Sequence, residues 1–317
     1  MSGWSHVTDP VATRSVPDVP PEDARAGAHI PLDAPVVAPR HWGRIAFAAV
    51  AVALLALVVV TLAGGQIQWS SVPGYFVDPR ILEGVVGTLI LTVAAMALGI
   101  VVGVIVAVMR SSSNPVLKSI AVGYVWLFRA VPTLVQLLLW FNFALLLPEI
   151  SVPGVFSADT NTIMTPFLAA LLGLGLSEGA YMAEIVRGGI EGIDRGQVEA
   201  AKSLGMSAGK TMRRIILPQA TRLVVPPTGN EAISMLKYTS LAFVISYSEL
   251  LSQGKKIFQI NFEVLEVLFA CSLWYLVLVT ILSLGQRELE RSLARGQGLG
   301  EVRAARRRRS TGEKGDR

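Results

Sequence analysis

The chain has 317 residues, of which 52% are hydrophobic and only 16% are charged, and its mean hydropathy is +0.54. This composition favours a membrane protein over a soluble one, which would carry more charge. The lone cysteine lies in the last apolar segment and all three histidines precede the first. A disulfide framework and a cysteine or histidine metal site are therefore excluded from the apolar part of the chain.

Residues 1–40 contain seven prolines among scattered charges. Such a segment buries too little apolar surface to offset the entropy that ordering would cost. We therefore expect a disordered tail over residues 1–40.

Six apolar segments follow, each of about the 20 residues or more that a membrane helix needs. They cover residues 45–63, 81–109, 120–147, 166–190, 223–251 and 264–284. The first begins too late and runs too long for a cleaved signal peptide, so we interpret residues 41–65 as a retained helix. The sequence predicts an all-α integral membrane protein with six transmembrane helices.

Lysine and arginine indicate the orientation, since short cytoplasmic loops collect them. They lie before the first segment, between the second and third, and densely after the fourth, whereas residues 148–165 contain none. Lys255 and Lys256 are a mild exception. Both termini are therefore predicted to be cytoplasmic.

Small residues form a stripe along the second segment, at Gly84, Thr88, Thr92, Gly99 and Gly103. Small side chains let membrane helices approach closely, so the stripe predicts bundle packing and not a substrate site. Between the third and fourth segments, residues 142–159 indicate a short external loop with a small helix.

Three charged residues lie in the fourth segment, at Glu178, Glu184 and Arg187. Glu184 and Arg187 are three residues apart, a spacing at which opposite charges pair on a helix. We expect a structural role for all three.

Residues 188–218 are too polar to span a membrane, yet residues 195–204 and 207–216 have helix-forming composition. Gly205 separates the two pieces and suits a turn. The pattern predicts a helix, a turn and a second helix that project into the cytoplasm.

Two short sequences resemble ATP-binding motifs but do not meet the requirements of those motifs. GMSAGKT, residues 205–211, has one residue too few between its glycines for a P-loop, and no hydrophobic strand precedes it. LSQGK, residues 251–255, resembles a signature motif of ATP-binding cassette (ABC) ATPases but lies at a membrane helix end. We expect no ATP site in this chain.

The basic tail, residues 288–317, supplies much of the net charge of +5. Beside a last membrane helix, such residues contact anionic lipid, each contributing about 1 kcal/mol. We expect a cytoplasmic tail, membrane lipid as a partner, and no nucleic acid.

One motif carries a family resemblance, and its spacing is complete. The residues that match EAA-x3-G-x9-I-x-L-P are Glu199, Ala200, Ala201, Gly205, Ile215, Leu217 and Pro218. This pattern resembles the permease subunits of ABC importers. In that family the loop, here residues 191–220, couples to a separate ATPase subunit, which holds ATP and Mg²⁺. The resemblance implies that this chain is not an enzyme.

Flanking segments resemble the polar amino-acid branch of that family, the His/Glu/Gln/Arg/opine permeases. GAYMAEIVRGG at 179–189, RAVPTLVQ at 129–136 and KYTSL at 237–241 are similar to its motifs. Ala130, Val131 and Tyr238 depart from the branch pattern and weaken the inference about substrate. The resemblance implies a five-helix type I permease core at residues 80–287, with helix 41–65 as an addition.

Polar residues in the fifth apolar segment are candidates for a substrate pathway, because polar groups in a membrane interior are costly. Helical spacing groups them on adjacent faces, at Asn230, Glu231, Ser234, Lys237 and Tyr238. Pro226, Pro227 and Gly229 predict a bent or interrupted helix there. Glu231 and Lys237 could complement an amino acid's ammonium and carboxylate, or could pair with neighbours, and the sequence leaves both open.

The resemblance implies an importer of a polar amino acid such as glutamate, glutamine, arginine or histidine, in a prokaryotic cell membrane. Its implied partners are an ABC ATPase, a second permease copy, identical or homologous, and an extracytoplasmic solute-binding protein. Permeases for other small polar solutes share the loop. An ion-coupled secondary carrier is the alternative from another class.

Overall fold

The computed structural model describes residues 42–65, 67–152 and 156–312. The predicted tail over residues 1–40 lies outside them. The chain divides into two units, residues 1–65 and 66–317. In the first unit, helix α1 spans Trp42–Ala63.

The second unit is helical apart from one small hairpin. Its helices are α2 Val72–Phe76, α3 Pro79–Arg110, α4 Pro115–Ala130, α5 Thr133–Phe141, α6 Thr160–Ile163, α7 Pro166–Glu191, α8 Arg195–Ser203, α9 Ala208–Thr211, α10 Leu217–Tyr238, α11 Leu250–Asn261 and α12 Val264–Gly312. The strands are β1 Glu149–Val152 and β2 Phe156–Asp159, antiparallel with Glu149 opposite Asp159. This hairpin lies in the predicted loop at 142–159 and corrects the prediction that the fold is purely α.

Three long helices begin in the same way, with a capping side chain followed by proline. Asp78, Asn114 and Thr165 each accept a backbone N–H of the first turn, at 2.9, 2.9 and 3.3 Å. Proline follows each cap, where its missing N–H costs no helical hydrogen bond. The starts of α3, α4 and α7 are therefore fixed by local sequence.

The described residues hold four helices long and apolar enough to cross a membrane: α1, α3, α7 and α12. The pair α4 and α5 makes a fifth if it is counted as one span, although the chain bends by 100° between them. The prediction of one helix over 120–147 is wrong in this respect. Pro132 ends α4 because it has no N–H to donate to the carbonyl four residues earlier.

Gln136 stabilises this bend from the side. Its Nε2 donates to the carbonyls of Phe128, at 3.0 Å, and Val131, at 2.8 Å. The Phe128 carbonyl is the one that Pro132 leaves without a helical partner. A side-chain amide thus replaces the backbone donor in a place where an unpaired carbonyl would be costly.

The prediction of one helix over 223–251 is also wrong. Helix α10 ends at Tyr238, a 3₁₀ turn covers Thr239–Ile245, and Ser246 has a φ of +57°. The buried Glu249 then caps α11, accepting the N–H groups of Leu251 at 2.8 Å and Ser252 at 2.6 Å. The hydropathy pattern does not mark this boundary, whereas the capping carboxylate of Glu249 starts a new helix.

The sequence predicted a bent or interrupted helix at Pro226, Pro227 and Gly229. The interruption is absent, since α10 runs from Leu217 to Tyr238. Each proline still lacks an N–H, so the carbonyls of Arg222 and Leu223, four residues earlier, receive no helical hydrogen bond from it. Nearby, Gln286 Nε2 of α12 lies 3.3 Å from the Pro226 carbonyl.

Helices α3 and α7 interlock through glycines on both sides. A Cβ at Gly103 would lie 2.4 Å from Met182 Cβ, and one at Gly175 would lie 2.7 Å from a methyl of Leu98. Gly99 packs in the same way against Glu178. The prediction that the small-residue stripe packs the bundle is confirmed, because the helices approach where side chains are missing.

Helix α2 docks on the start of α12. Tyr75 donates to Glu263 Oε2 at 2.7 Å, and the rings of Phe76 and Trp274 stack with centroids 4.6 Å apart. The hydrogen bond to the Glu263 carboxylate, together with burial, raises the pKa of Tyr75 to about 12. The segment before α3 is thus fixed to the last helix.

Candidate functional site

A polar cavity of about 240 Å³ lies among α5, α7 and α10. Its lining residues are Thr133, Leu174, Ser177, Glu178, Tyr181, Glu231, Ser234, Met235 and Tyr238. The 100° bend places Thr133, the first residue of α5, at its edge, with Thr133 Oγ1 3.4 Å from Ser177 Oγ. Seven of the nine residues carry a polar group.

Glu178 is the most buried charged residue of this lining. Its side chain is 3% exposed, and its Oε1 has no hydrogen-bond partner among the described residues. Buried polar atoms are nearly always paired, so an unpaired carboxylate oxygen in a cavity wall requires a donor from water or from a ligand in the cavity. Gly99 provides the space in which this carboxylate sits.

The predicted pathway residues divide into two groups. Glu231, Ser234 and Tyr238 line the cavity. Asn230 instead accepts a hydrogen bond from Gln286 Nε2 of α12, at 2.9 Å, and Lys237 is exposed and outside the lining. A role for any of them in transport stays a prediction.

The sequence interpretation missed Thr133, Ser177, Glu178 and Tyr181 as lining residues. Glu178 carried a signal, since a carboxylate inside a predicted membrane helix is a functional candidate by default. We expected a structural role for Glu178, but the described residues include no ion-pair partner for its carboxylate. The spacing of residues along α7 shows which of them share a face, but it does not show which other helix that face contacts.

A charged cluster lies further along α7, toward α8. Glu184 Oε2 lies 2.8 Å from Arg187 Nη2, and Glu184 Oε1 accepts from Arg110 of α3. Arg129 Nη1 of α4 is 3.9 Å from the same Oε1, and Arg187 also pairs with Glu191. The predicted pairing of Glu184 with Arg187 is confirmed, and the cluster ties three helices together.

The polar loop after α7 has the predicted form of a helix, a turn and a helix. Gly205 has a φ of +72°, a conformation that favours glycine. Its N–H bonds the Lys202 carbonyl at 2.9 Å, and the Met206 N–H bonds the Ala201 carbonyl at 3.0 Å. This pair of bonds is the Schellman end of α8, so the motif's glycine is required by backbone geometry.

The remaining motif residues lie on both sides of this turn. Glu199 and Ala200 are exposed on α8, while Ala201 is 2% exposed and faces inward. After α9, the chain forms a π-helical turn over Met212–Ile216, and Leu217 and Pro218 open α10. The loop thus leads directly into a helix that lines the cavity.

One side-chain bond joins the loop to α10. Gln219 Nε2 donates to Gln197 Oε1 of α8 at 2.6 Å and to the Ile215 carbonyl at 2.9 Å. These bonds connect α8 to the base of α10, the helix that carries Glu231, Ser234 and Tyr238. The described residues form no cluster of histidine, cysteine and carboxylate side chains that could hold a metal ion.

Apolar spanning helices, a polar cavity inside their bundle and a projecting polar loop together define a membrane transport protein. The family model described as "Binding-protein-dependent transport system inner membrane component" matches residues 99–295. The chain belongs to this family and is a multi-pass permease component.

Curated relatives agree with this assignment. The arginine transport system permease protein ArgU of Corynebacterium glutamicum is 45% identical over 260 residues, which cover 81% of this chain and 82% of that protein. The glutamine transport system permease protein GlnP of Escherichia coli strain K12 is 35% identical, covering 72% of this chain and 98% of its own.

Solved structures share the architecture. A crystal structure of an amino acid ABC transporter with histidines matches with a TM-score of 0.64 and 32% identity, over 72% of this chain and 100% of that chain. An inward-facing structure of the MetNI methionine ABC transporter matches with a TM-score of 0.55 at 19% identity, a likeness of fold alone.

Proposed function

We propose that the chain is the permease of an ATP-driven importer for a cationic amino acid of the arginine class. The observation that carries the proposal is the cavity lining, which holds Glu178 and Glu231 and, among the residues described, no lysine, arginine or histidine. Two carboxylates in a low-dielectric wall attract a cationic side chain and disfavour an anionic one. The identity to an arginine permease supports the same substrate class.

The hydroxyl groups of Thr133, Ser177 and Ser234 supply further donors and acceptors along the wall. They are suited to the α-amino and α-carboxylate groups of the same ligand. Lys237, which the sequence offered as the carboxylate partner, lies outside the lining and has no place in this proposal.

The proposed architecture has six spans. Helix α10 is the sixth, and its lower hydropathy reflects the polar side chains that it places on the cavity. Both termini and the α8–α9 loop lie in the cytoplasm, following the distribution of lysine and arginine. Two permease copies assemble with two ATPase subunits, and a solute-binding protein delivers the substrate outside.

In this proposal ATP and Mg²⁺ bind only to the ATPase subunits. Closure of the ATPase dimer moves α8, and the Gln197–Gln219 bond carries the movement to α10. The cavity walls on α7 and α10 then separate toward one side of the membrane and close toward the other.

Proteoliposomes containing the permease and its ATPase, with binding protein outside and ATP inside, test this function. We expect uptake of labelled arginine that stops when ATP is replaced by a non-hydrolysable analogue. Uptake driven by a proton or sodium gradient in liposomes that lack the ATPase would instead establish the ion-coupled carrier. ATP-driven uptake of glutamate but not arginine would keep the importer class and overturn the substrate.

A further inference from the structure

A ring contact joins the cavity wall to the charged cluster. The guanidinium carbon of Arg129 lies 5.3 Å from the centroid of the Tyr181 ring, and Tyr181 is one of the lining residues. A guanidinium within about 6 Å of an aromatic face is attracted by the electrons of the ring. Arg129 lies outside the lining, so it contacts the wall without belonging to it.

Charge balance leaves Arg129 available for this contact. Arg110 and Arg187 occupy the two oxygens of Glu184, whereas Arg129 Nη1 is 3.9 Å away, at the outer limit of an ion pair. The cluster holds three arginines and two glutamates, which leaves a net charge of +1. Arg129 is the arginine that these carboxylates neutralise least, and the Tyr181 ring is its second partner.

The Tyr181 side chain is not held in place by a hydrogen bond, whereas that of Tyr124 is. It is 39% exposed, and its hydroxyl has no hydrogen-bond partner within the described part of the chain. By contrast, Tyr124 on α4 is fixed by a hydrogen bond of 2.6 Å to the Leu176 carbonyl. Within the described residues, the Arg129 guanidinium is the polar group that contacts the Tyr181 side chain.

The position of Arg129 is itself determined by the bend. It lies in the last turn of α4, one residue before the helix ends at Ala130. The amide of Gln136 fixes that end to α5, and α5 contributes Thr133 to the same cavity. Arg129 therefore lies just before the bend and Thr133 just after it, and the Gln136 amide bonds the carbonyls of Phe128 and Val131 between them.

We propose that Arg129 is a positioning residue for the substrate cavity: its guanidinium, held beside Glu184, fixes the Tyr181 ring in the cavity wall. The ring then offers its face to the cation that Glu178 and Glu231 attract. This inference rests on the proposed function, since it assigns Tyr181 to the surface that a cationic amino acid contacts.

The test is a double-mutant cycle on the purified permease–ATPase complex, without binding protein, with radiolabelled L-arginine as the probe. R129Q and Y181A are each expected to weaken binding about fivefold to tenfold, within the range of such contacts. The double variant should bind no more weakly than the weaker single variant, because the same contact is lost once.

Conservative variants separate positioning from general structure. R129K keeps a cation and Y181F keeps the ring, so both should bind within about threefold of the wild-type complex. R80Q is the matched control, because Arg80 pairs with Asp78 at the start of α3, far along the helix from Arg110. It should leave arginine binding unchanged. If R129Q fails to fold, R129M, which removes the charge and keeps an unbranched apolar side chain, takes its place in the cycle.

Additive losses in the cycle, or wild-type binding by R129Q, would overturn the positioning role. Equal losses in Y181F and Y181A would overturn it too, because the hydroxyl would then matter and not the ring. A wild-type complex that binds no cationic amino acid would overturn the proposed function and this inference together, whereas the other outcomes leave the proposed function standing.

Discussion

Gln136 and Pro132 act as a pair at the bend between α4 and α5. The proline removes a backbone donor, and the glutamine returns one to the Phe128 carbonyl while also reaching Val131. The sequence resemblance included both residues in RAVPTLVQ but gave no reason for the glutamine. The physical reason is that a broken helix in an apolar bundle exposes carbonyls that no water can reach.

Replacing Gln136 with leucine should therefore destabilise the protein. We expect a loss of about 1–2 kcal/mol in the free energy of unfolding, since hydrogen bonds in membrane bundles are worth about that or less. Thermal unfolding in detergent measures it. Val135→Leu, on a neighbouring side chain that is 43% exposed, is the matched control and should change little. Equal melting temperatures for Gln136→Leu and wild type would contradict this role.

The position of Glu178 in the cavity wall could not be predicted from the sequence. The residue was visible as an intramembrane carboxylate, yet its helix also carried Glu184, which does pair with Arg187 as predicted. Glu178 meets Gly99 and the α10 residues across the bundle, and these are contacts between distant parts of the chain. Helical periodicity gives the faces of one helix, but it does not give their partners.

Close packing between helices depends on particular glycines. A Cβ at Gly84 would lie 2.7 Å from the Leu250 Cα, a backbone atom that cannot rotate away. Gly84→Ala should therefore separate α3 from α11 and lower the free energy of unfolding by about 1–3 kcal/mol. Thermal melts of the purified protein provide the measurement.

Gly123→Ala is the control for that substitution. Gly123 also lies inside a helix, but a Cβ there meets no atom within 4 Å. Alanine should be neutral there or stabilising by up to about 1 kcal/mol, because it favours helix more than glycine does. Equal melting behaviour of the two variants would contradict the packing role of Gly84.

The turn after α8 tests the coupling role of the loop. Because Gly205 has a φ of +72°, Gly205→Val should strain the turn by about 1–2 kcal/mol or more and displace α9. We expect ATP-driven uptake to fall at least fivefold while the protein still inserts and the ATPase still hydrolyses ATP. The ratio of substrate transported to ATP hydrolysed measures this.

Asparagine is the matched substitution, since it tolerates the left-handed conformation. Gly205→Asn should keep most of the transport that Gly205→Val loses. If Gly205→Val transports normally for each ATP hydrolysed, the turn has no part in coupling.

Some helix boundaries follow from the local sequence, and others depend on tertiary contacts. The starts of α3, α4 and α7 follow from a cap and a proline in the sequence. The start of α11 does not, because its capping residue Glu249 is buried and its carboxylate also accepts a hydrogen bond from Tyr275 of α12. A tertiary contact therefore contributes to the start of α11, and the hydropathy pattern does not show it.

As a whole, the molecule connects a polar loop to a polar cavity through two continuous helices. Helix α7 carries Glu178 and Tyr181 and ends just before α8, and α10 begins just after the loop and carries Glu231. The sequence motif located the loop, and the apolar segments located most of the spans. The sequence located the α10 wall of the cavity, at Glu231, Ser234 and Tyr238, but not the walls on α5 and α7, which only the bend and the helix packing bring to it.

The most direct test of the proposed cationic cavity is displacement of radiolabelled L-arginine from the permease–ATPase complex in the absence of binding protein. Lysine and ornithine should displace it, while citrulline, which matches arginine in shape but is neutral, should bind at least tenfold more weakly. In Glu178→Gln the advantage of arginine over citrulline should shrink at least fivefold. Equal displacement by citrulline and lysine, or an unchanged preference in Glu178→Gln, would contradict a cavity that selects cations.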